Sequence, residues 1–215
     1  MRINNLFIIT ILLSNTAYSQ RSLGFEQLCY VDNPGPSPTP SILVPRLYYR
    51  STGSWYGEAR YNYEEVKTFS LYAGRTFSKQ DSLSWSLTPV AGILLGKLKG
   101  NAAGLNIAVN DGKWYFSSAV QAVFSWENKQ YNFIYSWSEL GYQATPHLYT
   151  GLVLQQTSLY DMHTKWEPGV QIGILVYKWT FPVYAFNPMG KDRRFVIGIT
   201  REWEWKDNEN KLYKR

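Results

Sequence analysis

The chain has few of the residues that build metal or nucleophile chemistry. Cys29 is its one cysteine, which excludes an intramolecular disulfide and a thiolate metal cluster. Its two histidines, His147 and His163, are far apart and do not make a ligand set. Neither is followed by a serine two residues on, the spacing that would put base and nucleophile on one strand face. No glycine loop of the phosphate-cradling kind is present, so no metal and no cofactor is expected. Charged residues make up 18% of the chain and leave a net charge of +6 that is not gathered into a stripe, which argues against a nucleic-acid partner. After the first residues no apolar run approaches the roughly 20 residues of a membrane-spanning helix. Helical periodicity is almost absent and mean hydropathy is −0.31. A helical membrane protein is thereby excluded.

Aromatic residues, in contrast, are abundant: 17 Tyr, 10 Phe and 9 Trp, or 17% of the chain. Rings in this proportion suit the two interfaces of a bilayer, where an amphipathic ring sits at headgroup level, although sugar-binding β-proteins use them too. Residues 1–19 read as a secretory leader, with Arg2 as the positive region, Leu6 to Leu13 as the apolar core and Ala17-Tyr18-Ser19 as the cleavage site before Gln20. Residues 20–41 read as an N-terminal segment that ends in a stiff linker, because prolines at 34, 36, 38 and 40 cannot join a sheet ladder.

From Ile42 to Trp205 the sequence alternates with period two. The pattern predicts strands near 42–50, 54–64, 67–78, 82–96, 100–110, 113–125, 129–142, 146–157, 166–178 and 193–205, with 182–187 as an additional candidate. Most are longer than the five or six residues usual in soluble sheets and suit a tilted membrane crossing. In 82–96, Leu83, Trp85, Leu87, Ala91, Ile93 and Leu95 share one face, against Ser84, Ser86, Thr88 and Gly92 on the other. The same split recurs in 100–110, 113–125 and 166–178. The polar faces are small and mostly uncharged, where a soluble sandwich would show lysine and glutamate to water. The apolar faces are therefore expected to meet lipid, carrying Trp55, Tyr63, Phe77, Trp114, Phe124, Tyr131, Trp137, Trp166 and Trp203 as girdle residues. Arg75 and Arg201 fall on those apolar faces, close enough to strand ends to snorkel.

The leader, the long alternating strands and the closing stretch RRFVIGITREWEW together resemble the small outer-membrane β-barrels of Gram-negative bacteria. The motif Glu58-Ala59-Arg60-Tyr61-Asn62-Tyr63-Glu64 is similar to a stretch in uncharacterised barrels of the Bacteroidetes group. This resemblance implies an all-β, closed antiparallel transmembrane β-barrel of about 10 strands, with 8 and 12 as the even-numbered alternatives. The even rule suggests that one of the segments 42–50 and 183–187 is not a full crossing. Residues 206–215 then form a charged tail. The implied location is the outer membrane, and the implied partners are outer-membrane lipid and the barrel assembly machinery, with the protein itself a monomer.

A lumen polar network is expected from Glu58, Arg60, Asn62, Glu64, Arg194 and Glu202, with Arg60 and Glu202 brought together by closure of the barrel. A structural ion-pair plug and a selectivity or ligand site are its two readings. A structural, ligand-binding or passive-transport role follows, with no enzymatic activity. Two alternatives remain beside it: a lipid-modifying or hydrolytic barrel enzyme, and a secreted soluble β-barrel with its faces reversed around an apolar ligand.

Overall fold

In the computed structural model, which describes residues 21–32, 41–160 and 162–205, the strands follow one another as antiparallel neighbours and the sheet closes on itself. In chain order they are β1 (Arg21–Asp32), β2 (Ile42–Arg50), β3 (Trp55–Tyr61), β4 (Thr68–Arg75), β5 (Phe77–Lys79), β6 (Leu83–Gly96), β7 (Gly100–Asp111), β8 (Trp114–Ser125), β9 (Phe133–Thr145), β10 (Leu148–Leu159), β11 (Lys165–Val176), β12 (Trp179–Phe186) and β13 (Arg194–Trp205). β4 and β5 both pair with β6 and keep one alternation through Thr76, so they are two halves of a single stave. The barrel therefore has twelve staves, closed where β1 pairs along its whole length with β13. The expected leader, the proline run and the tail after Trp205 lie outside the described residues.

Two expectations are corrected here. The barrel begins at Arg21, because β1 is a full stave, and the segments 42–50 and 183–187 both belong to crossings, as β2 and β12. β12 starts earlier than its sequence suggests: Tyr177 and Lys178, at φ 48° and 70°, form the two-residue hairpin turn that glycine or asparagine usually marks. Its ladder with β13 skips Phe181 and Pro182, since proline has no N–H to give.

Apart from Tyr63 and Trp137, which lie inside, the faces are as the alternation predicts. Trp55 is 63% exposed, whereas Glu58 and Arg60 next along β3 are 4% and 3% exposed inside the barrel. Outside, Leu71, Leu95, Phe116, Leu152, Ile172 and Ile197 belong to a continuous apolar surface. Arg75 and Arg201 do point outward, and both sit near the end that carries the chain termini. The Arg201 guanidinium lies 5.0 Å from the rings of both Trp179 and Trp203, and that of Arg75 lies 6.0 Å from Trp55. At that end the strands are joined by turns of two to four residues, and at the other by connections of up to nine.

Four inward tyrosines lie flat on glycines of the paired strand: Tyr48 on Gly24, Tyr72 on Gly92, Tyr115 on Gly141 and Tyr149 on Gly173, each directly opposite in register. A methyl group added at Gly173 would stand 2.1 Å from Tyr149 Cζ, so the ring occupies the place of a side chain. Gly173→Ala is expected to lower stability by about 1–3 kcal/mol, the usual penalty of overpacking. The Gly173→Ala, Tyr149→Ser double variant should recover most of that loss in urea titrations of the refolded barrel.

Candidate functional site: the barrel lumen

Toward the end with the longer connections the interior is filled by Leu94, Leu98, Val123, Phe186 and Val196, all buried. Beside these apolar side chains lies a polar group whose centre is Arg60, level with Leu94 in register through Ser70. Its Nε donates to Glu58 Oε1 at 2.7 Å and its Nη2 to Glu58 Oε2 at 3.2 Å, a forked pairing. Its Nη1 donates to Glu64 Oε1 at 3.1 Å and to Gln121 Oε1 at 2.7 Å. The rings of Tyr63 and Tyr72 lie on the guanidinium, each centroid 4.3 Å away. Hydroxyls complete the carboxylates: Tyr56 donates to Glu58 Oε2 at 2.6 Å, Ser70 to Glu64 Oε2 at 2.7 Å and Tyr72 to Glu64 Oε1 at 2.7 Å. A buried guanidinium is tolerated because its charge and its N–H groups are met.

The β3–β4 connection makes this possible. Asn62 takes a left-handed conformation at φ 59°, and its side chain accepts from Lys67 N at 2.7 Å and donates to the Leu43 carbonyl at 2.9 Å. The reversal ends β3 at Tyr61 and turns Tyr63 and Glu64 into the lumen. Asn62 is therefore a turn-forming residue and no part of the network, and Tyr63 is removed from the expected outer girdle. Trp137 leaves the girdle as well: it is 9% exposed, faces inward and packs edge-on against Tyr184 at 5.0 Å.

The remaining expected members are separate from Arg60. Glu202 pairs with Arg50 at 3.0 Å and accepts from Tyr48 OH at 3.1 Å, across the space that Gly24 leaves open. Closure does not bring Arg60 to Glu202, because β1 and β2 stand between β3 and β13. Arg194 forms a third group, 3.3 Å from Glu167 and donating to Gln155 at 2.8 Å, with Lys165 on Glu167 at 3.0 Å.

Sequence reading missed Glu26, Arg46, Gln121, Glu139 and Glu167. Glu26 lay on an unrecognised strand; Arg46, Gln121 and Glu139 have no charged residue two positions away on their own strand face, and Glu167 has Lys165 two residues before it on the same face. Arg46 lies 3.5 Å from both Glu26 and Glu58. Along its length the lumen thus holds Arg46, Arg50, Arg60 and Arg194, with Lys165, against Glu26, Glu58, Glu64, Glu139, Glu167 and Glu202. A cavity of about 270 Å³ runs beside them, lined by Glu26, Arg46, Tyr63, Thr88, Asn106 and Glu139 among others. A second, also about 270 Å³, lies on the short-turn side of Glu139. His147 and His163 are exposed in connections at opposite ends of the barrel.

No family model matches the chain. No curated protein matches it either. Among solved structures it is similar to the KdgM porin, with a TM-score of 0.59 and 12% identity over 83% of this chain and 98% of that one. It is likewise similar to the KdgM porin in complex with disordered oligogalacturonate, with a TM-score of 0.55 and 12% identity over 84% and 98% of the two chains. The likeness is one of fold: a closed antiparallel twelve-stranded barrel.

Proposed function

We propose that the protein is an outer-membrane barrel for passive movement of small solutes, in which the Arg60 layer narrows the lumen. The carrying observation is the division of its surfaces: a continuous apolar exterior around an interior of paired charges and water-sized space. A soluble barrel would carry the reverse, charge outside and an apolar core within. The short turns on the side of the termini match the periplasmic edge of bacterial barrels, and the longer connections match the outer edge. Export by the leader and insertion through the aromatic last strand β13 are part of this reading, with lipid and the assembly machinery as the partners. Among the described residues Arg60, Glu58 and Glu64 are bound to one another and to tyrosine and serine hydroxyls, an arrangement for holding structure in place.

The six lumen glutamates exceed the four arginines and Lys165 by one charge, which favours cations. The oligogalacturonate held by the neighbouring porin is acidic and, by the same reasoning, fits this interior poorly. Planar-bilayer recording tests the proposal. Small, cation-preferring steps that oligogalacturonate does not block are expected, and a barrel that folds in detergent yet carries no current in any variant of the Arg60 layer overturns it.

A further inference from the structure

Among the lumen carboxylates Glu139 is treated differently from the rest. Glu26, Glu58, Glu64, Glu167 and Glu202 each have an arginine within 3.5 Å. Glu139 has no lysine or arginine partner among the described residues. Its Oε1 accepts from Trp137 Nε1 at 2.6 Å and from Tyr184 OH at 3.1 Å. Those neutral donors hold the carboxylate in place and leave its charge uncompensated. It stands between the two cavities and lines both.

On the short-turn side the walls around Glu139 are largely aromatic, whereas the cavity on the other side is polar and includes Arg46 and Arg50. Trp137 and Tyr184 meet edge to face at 5.0 Å and 86°, and Tyr115 and Tyr149 meet at 5.9 Å and 74°. The last two rings are held against the wall by Gly141 and Gly173, so they present surface to the cavity on the short-turn side. Gln171, adjacent to both Glu139 and Tyr115, is 2% exposed, and its amide adds a further neutral partner for the carboxylate. A carboxylate without a basic partner, set beside aromatic rings, fits a positive guest that also packs on ring faces. A metal ion would require about six oxygen ligands, which one carboxylate does not provide. A soft organic cation meets both conditions.

We propose that Glu139, with Trp137, Tyr184, Tyr115 and Tyr149, forms a lumen site for a small organic ammonium ion. The site rests on the proposed function in one respect, that solutes enter the lumen.

Choline and its uncharged isostere 3,3-dimethylbutan-1-ol are the probes, titrated into the full chain refolded in detergent and followed by tryptophan fluorescence and calorimetry. Choline is expected to bind at least tenfold more tightly than the isostere, and Glu139→Gln to weaken choline at least tenfold while the variant keeps the gel migration of a folded barrel. Equal binding of the two probes, or choline binding unchanged in Glu139→Gln, overturns the site. Should Glu139→Gln not fold, Tyr149→Leu decides: it removes a ring and leaves the carboxylate, so choline binding is expected to weaken at least threefold, and unchanged or tighter binding overturns the proposal. Binding is read at equilibrium without a membrane. A barrel that binds choline and passes no current therefore contradicts passive movement alone, and one that conducts and ignores choline contradicts the site alone.

Discussion

Arg60→Ala is expected to destabilise the barrel by about 3–5 kcal/mol, the range found when one partner of a buried charge group is removed. Glu58 and Glu64 would remain inside, 0% exposed at their side chains, with the fork and the third donor gone. Gln121 Oε1 would lose its strongest partner as well. Urea unfolding in lipid vesicles reads the loss. Because the charges act as a unit, adding Glu58→Gln to Arg60→Ala should restore part of it, so the two effects will not add. The same variant should enlarge single-channel steps, since the guanidinium and the tyrosines stacked on it stand in the lumen. A loss under about 1 kcal/mol would show that the layer is wet and loosely held, as exposed ion pairs are.

Ile172→Arg carries the second large effect, about 2–4 kcal/mol in a bilayer, because Ile172 sits midway along β11 with its side chain outward. Trp205→Arg, at the end of β13, should cost only about 0–1 kcal/mol. On a soluble barrel both positions would be ordinary surface and both changes would fall within about 0.5 kcal/mol. The depth dependence separates the two accounts even if either number is off. Arg75 and Arg201 already illustrate it: they lie outward, near the short-turn end, with their guanidinium groups over indole rings.

The alternation made the fold legible. Faces read correctly in β6, β7, β8 and β11 because each keeps a strict period of two over twelve or more residues, so a single register decides every side chain. β1 was hidden by Gln27 and Cys29 on its outer face and by the prolines that follow it. That omission then misplaced the seam of the barrel and paired Arg60 with Glu202.

Within the site, Glu58 with Arg60 was legible as neighbours on one face two residues apart. Glu64 was assigned to the right place for an incomplete reason: it arrives through the turn at Asn62, which also reverses Tyr63, and not by continuation of the strand. Trp137 was mistaken for a girdle ring because a tryptophan near a strand's polar residues reads the same from either side. Its partner Glu139, two residues on and inward as well, is the signal that would have corrected the reading.

The most direct test of the central claim, that the apolar face meets lipid and the charged face encloses the lumen, is a spin-label scan of β11 in bilayers with Cys29 replaced by serine. Labels at Val170, Ile172 and Ile174 are expected to collide freely with oxygen dissolved in the lipid and little with a water-soluble nickel chelate, while labels at Gln171 and Leu175 show low oxygen access. Chelate access at Val170, Ile172 and Ile174 equal to that of an exposed loop site such as His163 would contradict the account and turn the barrel inside out.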